Sequence, residues 1–97
     1  MKQLAYSERT LADLVGILSF IARNNPSAAV AFAEDLISTC ESLQTKPELG
    51  MLRADLVDNL RLLVHRDYRI YYRNLDKQVI VERVLHHALD ESRQSFA

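Results

Sequence analysis

The segment from position 60 to position 87 constrains the fold most, because it contains three consecutive stretches with the composition of β-strands. Branched and aromatic side chains are concentrated at 60–65, 68–74 and 79–87, and the connections between these stretches are short. Connections of this length join neighbouring antiparallel strands. We therefore predict an antiparallel meander.

The middle stretch of the meander separates its side chains into two chemically different sets. Successive side chains of a strand point to opposite faces of the sheet, so Tyr68, Ile70 and Tyr72 share one face. The opposite face collects Arg69, Tyr71 and Arg73. We predict that helices cover the face that contains Ile70. The phase of the last strand stays open, because its residues are apolar on both faces.

A strand and a helix are predicted at the start of the chain. Residues 3–6 have strand composition, and Ser7 is a good helix N-cap. Apolar side chains then recur at helical spacing from Leu11 to Ala22. This pattern predicts a first helix at about residues 8–23.

A second helix is predicted directly after a break at positions 24–26. Asn25 is suited to cap a helix, and Pro26 is suited to its first turn. The next apolar stripe runs as far as Leu43 and predicts a helix that ends near Lys46-Pro47. Two striped helices joined by so short a break pack as an antiparallel hairpin.

The elements occur in the order β-α-α-β-β-β along residues 1–97. This order predicts one α+β domain, with the helical hairpin packed on one face of a small, mostly antiparallel sheet. The chain is long enough for one core and not for two. Residues 48–59 are predicted to be a connecting segment with a short helical turn at about 54–57, and residues 92–97 a tail.

Composition and cysteine content exclude several classes of protein. The charged fraction of 26% and the lack of a long apolar run exclude a membrane protein. The start has no signal-peptide pattern, so we predict a cytoplasmic protein. Cys40 is the single cysteine, which excludes a cysteine-rich zinc site. His86 and His87 would point to opposite faces of a strand. We therefore predict no metal site and no cofactor.

Arginine is concentrated in the second half of the chain. The net charge of −1 argues against binding nucleic acid by bulk attraction, so we predict no direct sequence-specific nucleic-acid binding. Seven of the eight basic residues after position 50 are arginine, however. The planar guanidinium group is preferred where phosphate or carboxylate must be recognised, and solvation alone requires no such choice.

One set of side chains is suited to recognition or chemistry. It consists of Arg61, Arg69, Tyr71, Arg73 and Arg83. The set fits a solvated sheet face whose tyrosines pack along arginine stems, and it fits equally a surface that binds an acidic protein. Metal-free cleavage of RNA, by activation of a 2′-hydroxyl, is a third and less supported interpretation.

The helices carry more apolar surface than one packing stripe requires. Phe20, Val30 and Ala31 lie off the main stripes. Spare apolar surface on a helical hairpin often receives a helix or strand of another chain. A slightly apolar surface without a partner is the simpler explanation.

The ordered pattern resembles the ParE branch of the RelE/ParE superfamily of bacterial toxin–antitoxin toxins. The resemblance extends from about residue 4 to residue 91, and no single piece of it is specific. The matching residues are Ser7, Ala12-Asp13-Leu14, Ile17, Asn25-Pro26, Ala28-Ala29, Leu43, Pro47, Gly50, Leu60-Arg61, Tyr68-Arg69-Ile70-Tyr71-Tyr72-Arg73, Val81, Arg83-Val84-Leu85-His86 and Asp90.

The resemblance implies a toxin that is neutralised by a cognate ParD-like antitoxin, which wraps the helical hairpin and the sheet. On this basis we expect antitoxin contacts at Leu18, Phe20 and Phe32. Toxins of this type poison DNA gyrase and stabilise plasmids, so gyrase is the expected target. The expected target contacts are Arg61, Arg69, Tyr71, Arg73, Arg83 and Asp90, with the tail as far as Phe96.

RelE-type relatives instead cut mRNA on the ribosome, with basic residues and often a tyrosine. Arg69 matches a catalytic arginine of that pattern, but Leu60 and Leu62 occupy the positions of two lysines. Leu89 stands where many members carry arginine. The nuclease set is therefore incomplete, which favours a binder without catalytic residues. A RelE-type ribosome-dependent mRNA endoribonuclease and a non-toxic antitoxin-binding relative stay open as alternatives.

Overall fold

In the computed structural model, which describes residues 1–96, a helical hairpin lies against one face of a five-stranded mixed sheet. The elements are β1 (Gln3–Tyr6), α1 (Glu8–Ala22), α2 (Pro26–Ser42), β2 (Met51–Leu52), β3 (Leu60–His65), β4 (Tyr68–Asn74) and β5 (Gln78–His86). The strand order is β1-β5-β4-β3-β2, and only the β1–β5 pair is parallel. The predicted α+β fold is confirmed, with β2 as an additional strand and turns in place of the helical turn expected at 54–57.

Both helices begin at the predicted caps. The side chains of Ser7 and Asn25 each accept a hydrogen bond from a backbone N–H three residues later, at 3.1 Å. Helix α2 ends at Ser42, before the predicted end, because the N–H groups of Leu43 and Gln44 donate to carbonyls three residues back. In residues 1–96 neither helix has the length and apolarity needed to cross a membrane.

The main core lies between the helices and one face of the sheet, which we call the helix face. Leu36 and Cys40 of α2 pack there against Ile70 and Tyr72 of β4 and against valines of β5. The hydroxyl of Tyr72 donates to the carbonyl of Pro47 at 2.7 Å and accepts from the N–H of Gly50 at 2.8 Å. The predicted face of the middle strand is therefore confirmed.

A β-bulge sets the phase of β5. Tyr71 is paired with Arg83 and Tyr72 with Val81, so Glu82 lies opposite no residue of β4. The extra residue places Val81 and Val84 in the same core although they are three positions apart. Strand β5 therefore does not keep the period of two that would have allowed its phase to be predicted.

The other face of the sheet is covered by residues 90–96, which we call the strap, and by the turn that contains Leu56 and Val57. We call this side of the sheet the strap face. Its buried side chains are Leu60, Leu62, Tyr71, Leu85 and Phe96. Tyr71 is completely buried, so the interpretation of a solvated arginine–tyrosine face is wrong for this residue.

Candidate functional site

The strap is held to the sheet by donors that converge on the carboxylate of Glu91. Two guanidinium nitrogens of Arg53 donate to its two oxygens at 3.0 and 2.9 Å, and the hydroxyl of Tyr71 donates to Oε2. The guanidinium also binds Asp55, at 3.0 and 2.9 Å. Paired, charge-assisted hydrogen bonds of this kind are about twice as strong as neutral ones. Glu91 is thus the main polar anchor of the strap.

These contacts shift the pKa values of Glu91 and Tyr71. The hydrogen bonds from Arg53 lower the pKa of Glu91; partial burial opposes this shift, and Tyr71 and Arg69 reinforce it. Burial raises the pKa of Tyr71 to about 12, with a further rise from Glu91 and an opposing effect of Arg69. At neutral pH the carboxylate is therefore ionised and the phenol is a hydrogen-bond donor.

Two further arginines of β4 lie on the strap face, as predicted from the alternation of the strand. Arg69 is placed in register with Val64 of β3 and Leu85 of β5. Arg73 lies 3.5 Å from the carboxylate of Glu82, and within residues 1–96 its buried Nε has no hydrogen-bond partner. The strap face therefore combines arginines with a buried phenol.

Arg83 lies at the edge of the sheet beyond the end of β1, where it joins three elements. Its Nε and Nη2 donate to the carboxylate of Asp13 on α1 at 2.8 and 2.9 Å, and both side chains are largely buried. Its Nη1 donates to the carbonyl of Ser95 at 3.1 Å and to Gln94 at 3.3 Å. Arg83 thus connects β5 both to a helix and to the strap.

Arg61 is not brought together with the other arginines. It is paired in register with Tyr72, so its side chain lies on the helix face. Its Nη1 donates to the carbonyl of Gly50 at 2.7 Å. The expectation that one sheet face collects all the arginines of the set is therefore wrong for Arg61.

Asp90 starts the strap and remains accessible. Its Oδ1 accepts from the N–H of Ser92 at 3.0 Å and caps the single 3₁₀ turn, Glu91–Arg93. The side chain is 61% exposed and lies 3.7 Å from Arg93. The carboxylate is therefore accessible to another molecule, although its oxygens already have the local partners Ser92 and Arg93.

The three side chains expected to contact an antitoxin lie in different surroundings. Leu18 lines a groove of about 510 Å³ between α1 and α2. Phe20 is 64% exposed and lines another groove, of about 580 Å³, between α1 and β5. Phe32 is half-buried, packs edge-on against Tyr68 with ring centroids 5.1 Å apart, and lines a smaller groove of about 330 Å³. All three thus line grooves, and Phe32 also packs against the core.

The sequence did not indicate Arg53 as a site residue, and Glu91 was expected only as part of the tail that contacts the target. They are 38 positions apart, in segments predicted to be a connection and a tail. The only signal available was the preference for arginine after position 50, which gives a residue type and no pairing. Asp13 is part of the family pattern, but the sequence does not indicate that it pairs with Arg83.

Three comparisons place this chain among known proteins. The family described as "ParE toxin of type II toxin-antitoxin system, parDE" matches residues 4–91. "Toxin RelE2" of Caulobacter vibrioides is 34% identical over 88 residues, which cover 91% of this chain and 98% of that protein. The solved structure "Chromosomal ParDE TA system from P. aeruginosa" superposes with a TM-score of 0.73 at 22% identity, and covers 89% of this chain and 96% of that one. The last comparison establishes a shared fold.

Proposed function

The chain belongs to the ParE toxin family of type II toxin–antitoxin systems, and from this premise we propose that it acts by binding and inhibiting DNA gyrase. The proposed contact surface is the strap face with Arg69, Tyr71 and Arg73. The proposed site of action is the cytoplasm, and the proposed biological role is plasmid stabilisation through the toxin–antitoxin pair.

The observation that carries this proposal is the absence of a free acid–base pair on the strap face, among the residues that the structure describes. A general base or acid works best with a pKa near the working pH. Tyr71 has a pKa of about 12 and donates to Glu91, and Leu60 and Leu62 are buried apolar side chains at the positions of the two RelE-type lysines. A surface of this kind is better suited to recognition than to RNA cleavage.

A RelE-type nuclease is the second candidate function. Two observations favour it: the name of the Caulobacter relative, and the presence of Arg69 at the position of a catalytic arginine. This candidate requires Arg69 to stabilise a phosphorane without the other basic residues of that pattern. A binder that sequesters an antitoxin without toxicity is the third.

A toxin of this family has a cognate antitoxin, and we propose the groove between α1 and α2 as its docking site. The groove is lined by Leu18, Ala22, Ala29, Ala33 and Ile37, among others. Val30, which also lines the groove, is 59% exposed, and Val15 on α1 is 67% exposed. An amphipathic helix of the antitoxin would cover these side chains.

The proposal is tested by adding the purified chain to gyrase supercoiling and DNA-cleavage assays, with and without the antitoxin. We expect inhibition or trapped cleavage that the antitoxin relieves. The double charge reversal Arg69→Glu/Arg73→Glu should abolish the effect. Arg23→Glu, an exposed position at the end of α1, makes the same kind of charge change and should leave inhibition intact.

Expression of the chain in cells, together with assays on gyrase and ribosomes, separates the alternatives. Growth arrest with unaffected gyrase, and mRNA cut on ribosomes in a manner that depends on Arg69, would establish the nuclease. Tight antitoxin binding without any growth effect would establish the non-toxic binder. Val30→Glu in the helix groove should weaken neutralisation by the antitoxin and leave toxicity unchanged.

A further inference from the structure

The carboxylate of Glu91 lies in a site whose donors do not depend on the strap. Tyr71 comes from β4, which is paired with a strand on each side. The backbone N–H of Arg53 donates to the carbonyl of Leu60 at 2.7 Å, and Asp55 binds its guanidinium from the other side. The donors would therefore keep their positions if Glu91 left.

A second, apolar position adjoins this anion site. The ring of Phe96 packs on that of Tyr71, with centroids 4.5 Å apart, and is buried together with Leu60, Leu62 and Leu85. Phe96 and Glu91 both touch Tyr71, one at its ring and the other at its hydroxyl. The strap thus occupies two adjoining positions, one for a carboxylate and one for an aromatic side chain.

The strap has little structure of its own to keep it in place. It contains one 3₁₀ turn of three residues, and Ser92, Arg93 and Ser95 are exposed. The residues that lead into it, 87–89, are exposed as well. Segments with few buried contacts open at a lower free energy than the rest of a protein.

We propose that the strap is an internal stand-in for a segment of the protein target. In the bound state an acidic side chain of the target takes the place of Glu91 at Arg53 and Tyr71, and an apolar side chain takes the place of Phe96. This inference rests on the proposed function, in which the strap face binds the target, and it names an acidic ligand for that face.

Three observations support a carboxylate ligand. The present occupant is a carboxylate, and it accepts a paired guanidinium contact as well as a phenol. Arg69 adds positive potential, because it favours the ionised form of Glu91. Arg73 on the same face has a buried Nε without a partner within residues 1–96, which is a spare donor for a second acidic group.

The proposal makes the strap a competitor of the target. A ligand that binds only the open form loses apparent affinity in proportion to the fraction of molecules that are open. Substitutions that weaken the strap should therefore strengthen binding at this face. A strap that is itself part of the contact surface would show the opposite effect.

A peptide with the sequence of residues 89–96 tests the site without any assumption about the target. Its binding is measured by fluorescence anisotropy against the full chain, wild type or Glu91→Gln/Phe96→Ala. We expect the double variant to bind at least about tenfold more tightly, as the loss of a charge-assisted contact implies. The further change Arg53→Gln should abolish binding, and so should Glu91→Gln in the peptide.

The single substitution Glu91→Gln provides a second test, since it is nearly isosteric and should leave the fold intact even if the double variant does not fold. Arg93→Gln is the control. This strap residue is exposed, so the variant should bind the peptide as the wild type does. Equal binding by wild type and variants, or binding that does not require Arg53, would overturn the proposal.

Gyrase inhibition then tests whether the target uses this site. We expect the strap variants to inhibit at about one-tenth of the wild-type concentration, in line with the larger open fraction. Unchanged or weaker inhibition would overturn the stand-in role. If the wild-type chain does not inhibit gyrase, the proposed function fails, and the peptide result still decides whether the site accepts an external carboxylate.

Discussion

The two faces of the sheet are both covered, but by structures of different kinds. Helices α1 and α2 cover the helix face, where completely buried side chains such as Leu36, Cys40 and Ile70 interdigitate. A short segment with one 3₁₀ turn covers the strap face, and it is held by Glu91, Phe96 and the contacts of Arg83. One cover is stabilised by apolar burial over two helices, and the other by a few side-chain contacts.

This difference assigns stability mainly to the helix face and leaves the strap face for the proposed recognition. Apolar burial over a large area is cooperative, so the helix face should open only when the whole protein unfolds. A few ionic and aromatic contacts can break while the rest of the fold persists. The face with the more weakly held cover also carries Arg69 and Arg73, which is the arrangement that the proposed shielded binding surface requires.

The largest expected contrast is between core substitutions on the two faces. Leu36→Ala should lower the free energy of unfolding by about 2–5 kcal/mol, because it leaves a cavity in a rigid core. Phe96→Ala should cost less than about 2 kcal/mol, because the strap can detach before the protein unfolds. Urea denaturation followed by circular dichroism measures both. Equal costs would mean that the strap folds as one unit with the core.

A smaller contrast is expected for two adjacent tyrosines. Tyr72→Phe leaves the N–H of Gly50 and the carbonyl of Pro47 without their partner on the helix face, which should cost about 1–3 kcal/mol. Tyr71→Phe removes one hydrogen bond to Glu91 and should cost about 1 kcal/mol or less. The second variant should instead speed amide exchange in the strap. Similar exchange in both variants would show that the hydroxyl of Tyr71 does not hold the strap.

The smallest effect on stability is expected when the pH is lowered. The pKa of Glu91 is lower in the folded chain than its ordinary value of 4.5. The ionised carboxylate therefore stabilises the strap fully at pH values above 4.5, and this contribution is lost as the pH falls through the pKa of the folded state. The pair is partly exposed, so the effect on overall stability is small. In NMR spectra the ring signals of Phe96 should shift at acid pH before the methyl signals of Ile70. Glu91→Gln should remove that dependence, and simultaneous shifts would contradict it.

Local patterns predicted most of the fold. Both N-caps, the strand limits at 60–65 and 68–74 and the face of β4 that contains Ile70 were predicted from residues a few positions apart. The early end of α2 and the bulge at Glu82 were not predicted, because each depends on hydrogen bonds or strand pairing that the residue types do not determine. The alternation of β4 predicted that Arg69, Tyr71 and Arg73 share one face, but Arg61 of the same proposed set lies on the other face.

The sequence by itself determined the order of the elements other than β2, the apolar stripes and the family, since these follow from spacing along the chain. Only the tertiary structure decided that Glu91 lies between Arg53 and Tyr71, and that Asp13 pairs with Arg83. The physical reason is that a charged side chain accepts many partners of opposite sign. Which one it meets is set by how the strands pair and where the chain returns across the sheet.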